Sequence, residues 1–333
     1  MMKEKRVVVI GSNSFSGSDF IDLLLESRYY EVFGISRSPE KSELFLPYKQ
    51  RDCLSRFEFR QFDMNQNMPA MLDFLTDIQP DYIVNFAAQS EVAPSWQNPG
   101  QWFQTNAVAI AELTSYLKDQ SWLQRYLHIS SPEVYGTCNG YIAEDTPVNP
   151  STPYAASKAA GDLMLFTLVK NLDFPLVMIR ATNVYGAHQQ LFKIIPRSAI
   201  YLNMDRQIQL HGGGKAVKSY IHIRDVSRGE LLAMEQGRIG EIYHLSPNHS
   251  IAVKDAVKTI CSVMGRDFES ATETVQERLG QDKAYEIDST KAREEFGWQP
   301  EISFQEGVAD VVKWVETYWS EICDESLEYQ HKP

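Results

Sequence analysis

The chain has 333 residues, 43% of them apolar and 23% charged. That balance excludes a disordered segment and fits two lobes, or one large α/β domain with an appended cap. Its 32 basic residues stand against 44 acidic ones, a net charge of −12, and no basic run interrupts the acidity, so nucleic acid is excluded as a partner. The cysteines Cys53, Cys138, Cys261 and Cys323 are dispersed, with no CxxC pair. This argues against a disulfide framework or a zinc site and fits a reducing, cytoplasmic setting. The opening residues lead into a short apolar run, Val7-Val-Val-Ile10, so neither a signal peptide nor a membrane span of about 18 apolar residues is expected.

In chain order, Arg6–Ile10 reads as a strand, Phe15–Ser27 as a helix and Glu31–Ser36 as a second strand. Phe57–Phe62, Tyr82–Phe86, Tyr126–Ser130 and Pro175–Arg180 follow as strands, with helices at Pro69–Asp77, Gln101–Lys118 and Tyr154–Asn171 between them. Short β-branched runs alternating with helical patterns mark βαβ units and a doubly wound parallel sheet, an α/β fold. After Ala181 the rhythm breaks into shorter elements, prolines and the run Gly212-Gly-Gly214. Arg224–Gln236 and Ala252–Gly265 are expected helices there, and Phe304–Tyr318 an amphipathic helix that closes the fold.

Gly11-Ser-Asn-Ser-Phe-Ser-Gly17 lies directly after the first strand and opens the first helix. Glycines in that place let the backbone turn tightly and approach a pyrophosphate, whose charge the helix N-terminus stabilises. Ser14 stands where a GxxGxxG fingerprint has its middle glycine. Gly11, Asn13, Ser14, Phe15, Ser16 and Gly17 are therefore candidate dinucleotide contacts. At the end of the second strand an acid would bind a ribose 2′-hydroxyl and an arginine a 2′-phosphate. This chain has Ser36-Arg37-Ser38, which points to NADP, with NAD as the alternative.

Tyr154 and Lys158, in Pro153-Tyr-Ala-Ala-Ser-Lys158, are four apart and share one helix face. A tyrosine with an ordinary pKa near ~10 needs a neighbouring cation before it can act as a base near neutrality. Lys158 and the positive nicotinamide are the expected sources of that charge.

Together with Ile129-Ser-Ser-Pro-Glu-Val-Tyr-Gly136, these motifs resemble the extended short-chain dehydrogenase/reductase family, and within it the nucleotide-sugar 4,6-dehydratases of the dTDP-glucose and GDP-mannose types. The resemblance covers nearly the whole chain. It implies a Rossmann-like NAD(P)-binding domain over residues 1–180 and a mainly substrate-binding lobe over 181–333, with segments returning to the main sheet. Phe86-Ala-Ala-Gln-Ser90 resembles the cofactor-side loop, and Asp63 and Met64 complete the cofactor set beside Phe86, Ala87 and Ala88. Asn183-Val-Tyr-Gly186, Lys193-Ile-Ile-Pro196, the run from His211 to Asp225 and Arg278-Leu-Gly-Gln-Asp282 resemble segments that hold a nucleotide-diphosphate sugar. Ser90, Asn183, Lys193, Lys218 and Arg278 are the implied substrate contacts, with Arg278 weighted above the lysines. His188, His211 and His222 are scattered, and no metal is expected.

The resemblance also implies roles. Tyr154 deprotonates the sugar 4-hydroxyl as hydride leaves C4, Ser131 shares the bond to that oxygen, Lys158 supports the tyrosine, and Glu133 removes the C5 proton. Pro132 departs from the pattern: dTDP-glucose dehydratases usually carry an aspartate there that protonates the departing hydroxide. GDP-mannose dehydratases lack that aspartate and keep the glutamate. Decarboxylases of nucleotide-linked uronic acids carry a similar Ser-Glu-Val-Tyr-Gly run and remain an alternative. Epimerases typically have no glutamate here, which lowers that option. A non-catalytic NAD(P)-binding protein is the alternative of another class. A homodimer is implied, paired through Gln101–Lys118 and Tyr154–Asn171, the second helix presenting Leu163, Phe166 and Val169 with Leu165 and Leu168.

Overall fold

The computed structural model describes residues 4–52, 54–138, 140–247, 249–276 and 286–332. Seven strands make one parallel sheet: β1 (Lys5–Ile10), β2 (Tyr30–Ser36), β3 (Phe57–Gln61), β4 (Tyr82–Asn85), β5 (Arg125–Ile129), β6 (Leu176–Ala181) and β7 (Ile242–Leu245). Their order is β7-β6-β5-β4-β1-β2-β3. Val7, Val8 and Val9 are wholly buried in β1, as a continuous apolar run must be when helices cover both sheet faces. The chain fills one side of β1 with β2 and β3, then crosses to β4 on the other side. That reversal leaves a crevice at the carboxyl ends of β1 and β4, where open α/β sheets bind ligands. Register places Ile10 beside both Ile35 and Asn85, so the turn after β1 opens between the ends of two neighbouring strands.

One face of the sheet carries α1 (Phe15–Glu26) and a later helix, α6 (Ile223–Gln236), around Phe20, Leu24, Val226 and Met234. The other face carries α2 (Met68–Ile78), α3 (residues 99–117) and α4 (Pro153–Leu172), around Met71, Ile110, Leu113 and Leu165. A separate cluster, including Ile200, Val257 and Val311, joins α5 (Ile194–Asn203), α7 (Val253–Val263) and α8 (Phe304–Thr317). Ser303 and Glu306 form a capping box that starts α8. β7 pairs with β6 from Ile242↔Met178 to Leu245↔Ala181, so the chain beyond 181 contributes an edge to the central sheet.

One expectation changes. α3 is not one regular helix, because Gln104–Val108 forms a π-helical stretch. Gly161 of α4 packs so closely on that stretch that a Cβ there would lie 2.3 Å from the Asn106 carbonyl oxygen. Leu165 of α4 is wholly buried in the core while Leu163 is 56% exposed, so the apolar residues of this helix are divided between the sheet and an outer face.

Candidate active site

The turn after β1 is built around two positions that admit no side chain. Gly11 sits at φ +89°, where a Cβ would stand 2.7 Å from the Ala87 backbone nitrogen, and a Cβ on Gly17 would stand 2.4 Å from the Gly11 carbonyl oxygen. Ser14, in place of a middle glycine, is the N-cap of α1, accepting from the Gly17 N–H at 3.0 Å. Gly11, Asn13, Ser14, Ser36, Arg37, Asp63, Met64, Phe86, Ala87, Ala88 and Ser90 all line one cleft of about 330 Å³. Phe15, Ser16 and Gly17 lie outside that lining and supply the backbone of the first turn of α1.

This cleft fits a nicotinamide dinucleotide. The glycine turn and the helix N-terminus form a backbone cradle suited to a pyrophosphate. Asn13 spends its side-chain N–H donors on Ser38 O (3.1 Å) and Pro39 O (2.9 Å), while its buried Oδ1 has no partner among the described residues. A ribose hydroxyl suits that acceptor. Lys41, absent from the sequence-derived set, also lines the cleft and donates to Asn13 O at 3.0 Å. Arg37 donates to the backbone carbonyl of Lys332 at 3.0 Å.

At the end of β5, Ser131 is the N-cap of a 3₁₀ turn over Pro132–Tyr135 and accepts from the Glu133 N–H at 3.2 Å. Pro132 takes the first turn position, for which its fixed φ and missing N–H are suited. Thr152 starts α4 by accepting from Ala155 N at 3.1 Å, and its first turns present Tyr154 and Lys158. Tyr154, Ser131 and Lys158 are only 8%, 7% and 2% exposed, and Lys158 Nζ is pinned under β5 by donating to Ile129 O at 2.8 Å. The Ser131 hydroxyl lies near enough to the Tyr154 phenol to favour its ionised form.

Burial, reinforced by the Glu133 carboxylate, pushes Tyr154 above its ordinary range, against the pull of the nearby Ser131 hydroxyl. The protein's own residues thus keep the phenol neutral, and Lys158 alone does not draw it toward neutrality. Burial also lowers Lys158 to about 8; Asp162 opposes that shift and Arg180 adds to it.

Behind these groups lies a buried polar network. Asp162, one turn beyond Lys158, accepts from Ser130 Oγ at 2.6 Å and from Arg180 at 2.8 Å. Arg180 also reaches the Tyr135 hydroxyl, which lies 2.7 Å from His244 Nε2. The network therefore joins α4 to the turn that carries Glu133. Asn106, another residue the motifs did not single out, donates to Gln89 O and to Ser157 Oγ, both at 2.9 Å, and accepts from Gln89 N at 2.9 Å. An asparagine inside an amphipathic helix, where its propensity is poor, was the available signal.

A second cleft, about 460 Å³, is lined by Asn183, Lys193 and Lys218, with Arg197, His211 and Tyr220. Glu91 and Phe192 line both clefts, so the two are contiguous. Glu91 is also near enough to Tyr154 to raise its pKa, while Tyr154, Ser131, Glu133 and Lys158 themselves line neither cleft. Lys193 is paired with Glu91 at 2.6 Å. Ser90 falls in the first cleft, and Arg278 lies outside the described residues.

A glycine cradle at the switch point of a parallel sheet, with Ser131, Tyr154 and Lys158 gathered at the end of β5, defines an extended short-chain dehydrogenase/reductase. Residues 8–311 match the profile of the family described as GDP-mannose 4,6 dehydratase, and the chain belongs to that family. The dTDP-glucose 4,6-dehydratase of Streptomyces niveus is 33% identical over 312 residues, covering 93% of this chain and 92% of that protein. Among solved structures, DesIV, a dTDP-glucose 4,6-dehydratase from Streptomyces venezuelae with NAD bound, superposes with a TM-score of 0.86 at 29% identity, covering 95% of this chain and 98% of that one. The dTDP-glucose 4,6-dehydratase of Bacillus anthracis in complex with NAD gives a TM-score of 0.84 at 25% identity, covering 94% and 97%. Among the described residues, no helix is long and apolar enough to cross a membrane.

Proposed function

We propose that the protein is a nucleotide-sugar 4,6-dehydratase, a hydro-lyase that converts a nucleotide-linked hexose to the 4-keto-6-deoxyhexose. The observation that carries this reading is Glu133: the Ser131 cap holds its backbone at the start of the 3₁₀ turn, and its charge is near enough to Tyr154 to hold the phenol up. Such a pair offers two proton acceptors to one sugar ring. Tyr154 takes the 4-hydroxyl proton while Ser131 bonds the same oxygen and Lys158 supplies the adjacent positive charge. A nicotinamide dinucleotide held by the Gly11–Gly17 turn and Asn13 would supply the acceptor for the C4 hydride and the donor of that hydride to C6. Once C4 is a ketone, the C5 proton is acidic, and Glu133 removes it as general base. The C6 hydroxyl then leaves, and Glu133, now protonated, is the group able to pass that proton on and complete a water molecule, since Pro132 has none to give; as C6 takes the hydride, C5 regains a proton, which balances the one Tyr154 took from the 4-hydroxyl.

NAD in the solved relatives supports NAD as the cofactor. The Ser36-Arg37-Ser38 corner, with no acid for a ribose 2′-hydroxyl, supports NADP. Parallel titrations with the two dinucleotides separate these readings. Asn183, Lys193 and Lys218 belong to the nucleotide-sugar side of the site, with Ser90 at its cofactor edge and Arg278 as a further phosphate contact. The base is left open, because the family profile carries a GDP-sugar name and the relatives a dTDP-sugar name. We also infer a cytoplasmic homodimer, supported by exposed Phe103, Val108 and Leu163 on the packed helices α3 and α4.

The test is a panel of GDP-, dTDP-, UDP- and CDP-hexoses and uronic acids with the purified protein, read by product mass. Loss of water from a hexose supports dehydration; loss of carbon dioxide from a uronic acid instead assigns a decarboxylase.

A further inference from the structure

Beyond the short helix Trp319–Asp324 residues 325–332 form neither helix nor strand, yet they return to the cofactor cleft. In Ser326-Leu-Glu-Tyr-Gln-His-Lys332, Leu327, Tyr329 and His331 are half-buried while Ser326, Glu328, Gln330 and Lys332 are exposed. That period of two is the pattern of an extended chain packed on one side. Leu327 anchors it in the α5/α7/α8 core. The Tyr329 ring meets Phe192 edge-on at 5.4 Å, and the His331 ring stacks on Trp102 at 5.1 Å. His331 Nε2 lies 2.6 Å from Gln101 Oε1, and the Lys332 carbonyl accepts from Gln89 Nε2 at 2.8 Å and from Arg37 at 3.0 Å.

These contacts have a direction. They begin at Phe192 in the small lobe, cross to α3, and finish at the loop after β4 and the corner after β2. Tyr329, Gln330 and Lys332 thereby become part of the wall of the 330 Å³ cleft. We propose that residues 325–332 form a strap that completes the dinucleotide site and sets the rate at which the dinucleotide leaves. The inference rests on the dehydratase reading, in which a hydride taken from one carbon of a sugar is returned to another. A dinucleotide that escaped between the two transfers would strand the ketone, so a site that holds it through turnover is of use. Aromatic contacts and a few hydrogen bonds suit that task, because they are individually weak and separable.

The experiment loads the full-length protein with NAD or NADP, whichever binds more tightly, and chases it with a large excess of a fluorescent etheno-analogue. In the double variant Tyr329→Ala/His331→Ala, which leaves Leu327 in the core, dissociation is expected to rise at least about tenfold, a change of about 1.4 kcal/mol. Chymotryptic cleavage after Tyr329 in the wild-type protein is the independent readout, expected to slow at saturating dinucleotide. If the wild type binds no dinucleotide, the dehydratase reading itself fails. If it binds one, and the double variant releases it at the wild-type rate, the strap is overturned alone. Cleavage that is indifferent to bound dinucleotide also counts against it.

Discussion

The rim formed by β5 and α4 and the second cleft, lined by Asn183, Lys193 and Lys218, are built differently. On the rim, Ser131, Tyr154 and Lys158 are all but closed off from water; Ser131 is held as a cap and Lys158 by a backbone acceptor. In the small lobe, Lys193 keeps 37% of its side-chain surface exposed and is held by one carboxylate. Buried groups have their ionisation set by the fold, whereas half-exposed cations retain a solvated charge that a ligand can recruit. The rim is thus suited to determine which bonds change, and the small lobe to determine which molecule is held.

That contrast can be broken in order of expected effect. Tyr154→Phe should abolish both oxidation and elimination, with turnover falling about 10²–10⁴-fold or more as a proton acceptor is lost; single-turnover absorbance of the reduced cofactor together with product mass checks it. Glu133→Gln should cost about 10²–10⁴-fold in elimination alone, so transient reduction of the bound cofactor should persist while solvent deuterium enters C5 very slowly. Lys193→Ala should act mainly on KM, raising it about tenfold with kcat nearly kept, as expected for one charge-assisted hydrogen bond discounted for exposure.

A smaller effect lies in the pH profile. Lys158, lowered to about 8 by burial, is charged below that pH and neutral above it. The first oxidation should therefore slow as pH rises through about 8. Asp162 favours the charged ammonium, so Asp162→Asn should move this alkaline limb to lower pH. Stopped-flow rates of cofactor reduction across pH 6 to about 10 measure it. An unmoved limb would detach Lys158 from the Asp162–Arg180 pair.

What could be read from the chain alone follows the same division. The buried run Val7-Val-Val-Ile10, the glycines at 11 and 17 and the Tyr154/Lys158 spacing are local patterns, and each lies where its periodicity or backbone chemistry puts it. Element ends shift by a residue or two, as fraying ends do. Local patterns do not show contacts between distant segments. Lys41 reaches Asn13 across 28 positions, and Gln89 meets Lys332 across 243. Neither pair has a sequence signature. The π-helical stretch around Asn106 depends on how closely Gly161 approaches it, a tertiary fact. The upward shift of Tyr154 likewise needs Glu133 in space, not in sequence.

Internal return of the C4 hydrogen is the claim on which the catalytic reading stands. With a nucleotide-hexose deuterated at C4 and a catalytic amount of cofactor, mass spectrometry and NMR of the product locate the label. The expected product is lighter by one water and carries the deuterium at C6, with no reduced dinucleotide accumulating. Deuterium released into free reduced cofactor, or a product that keeps its C6 hydroxyl, would contradict it.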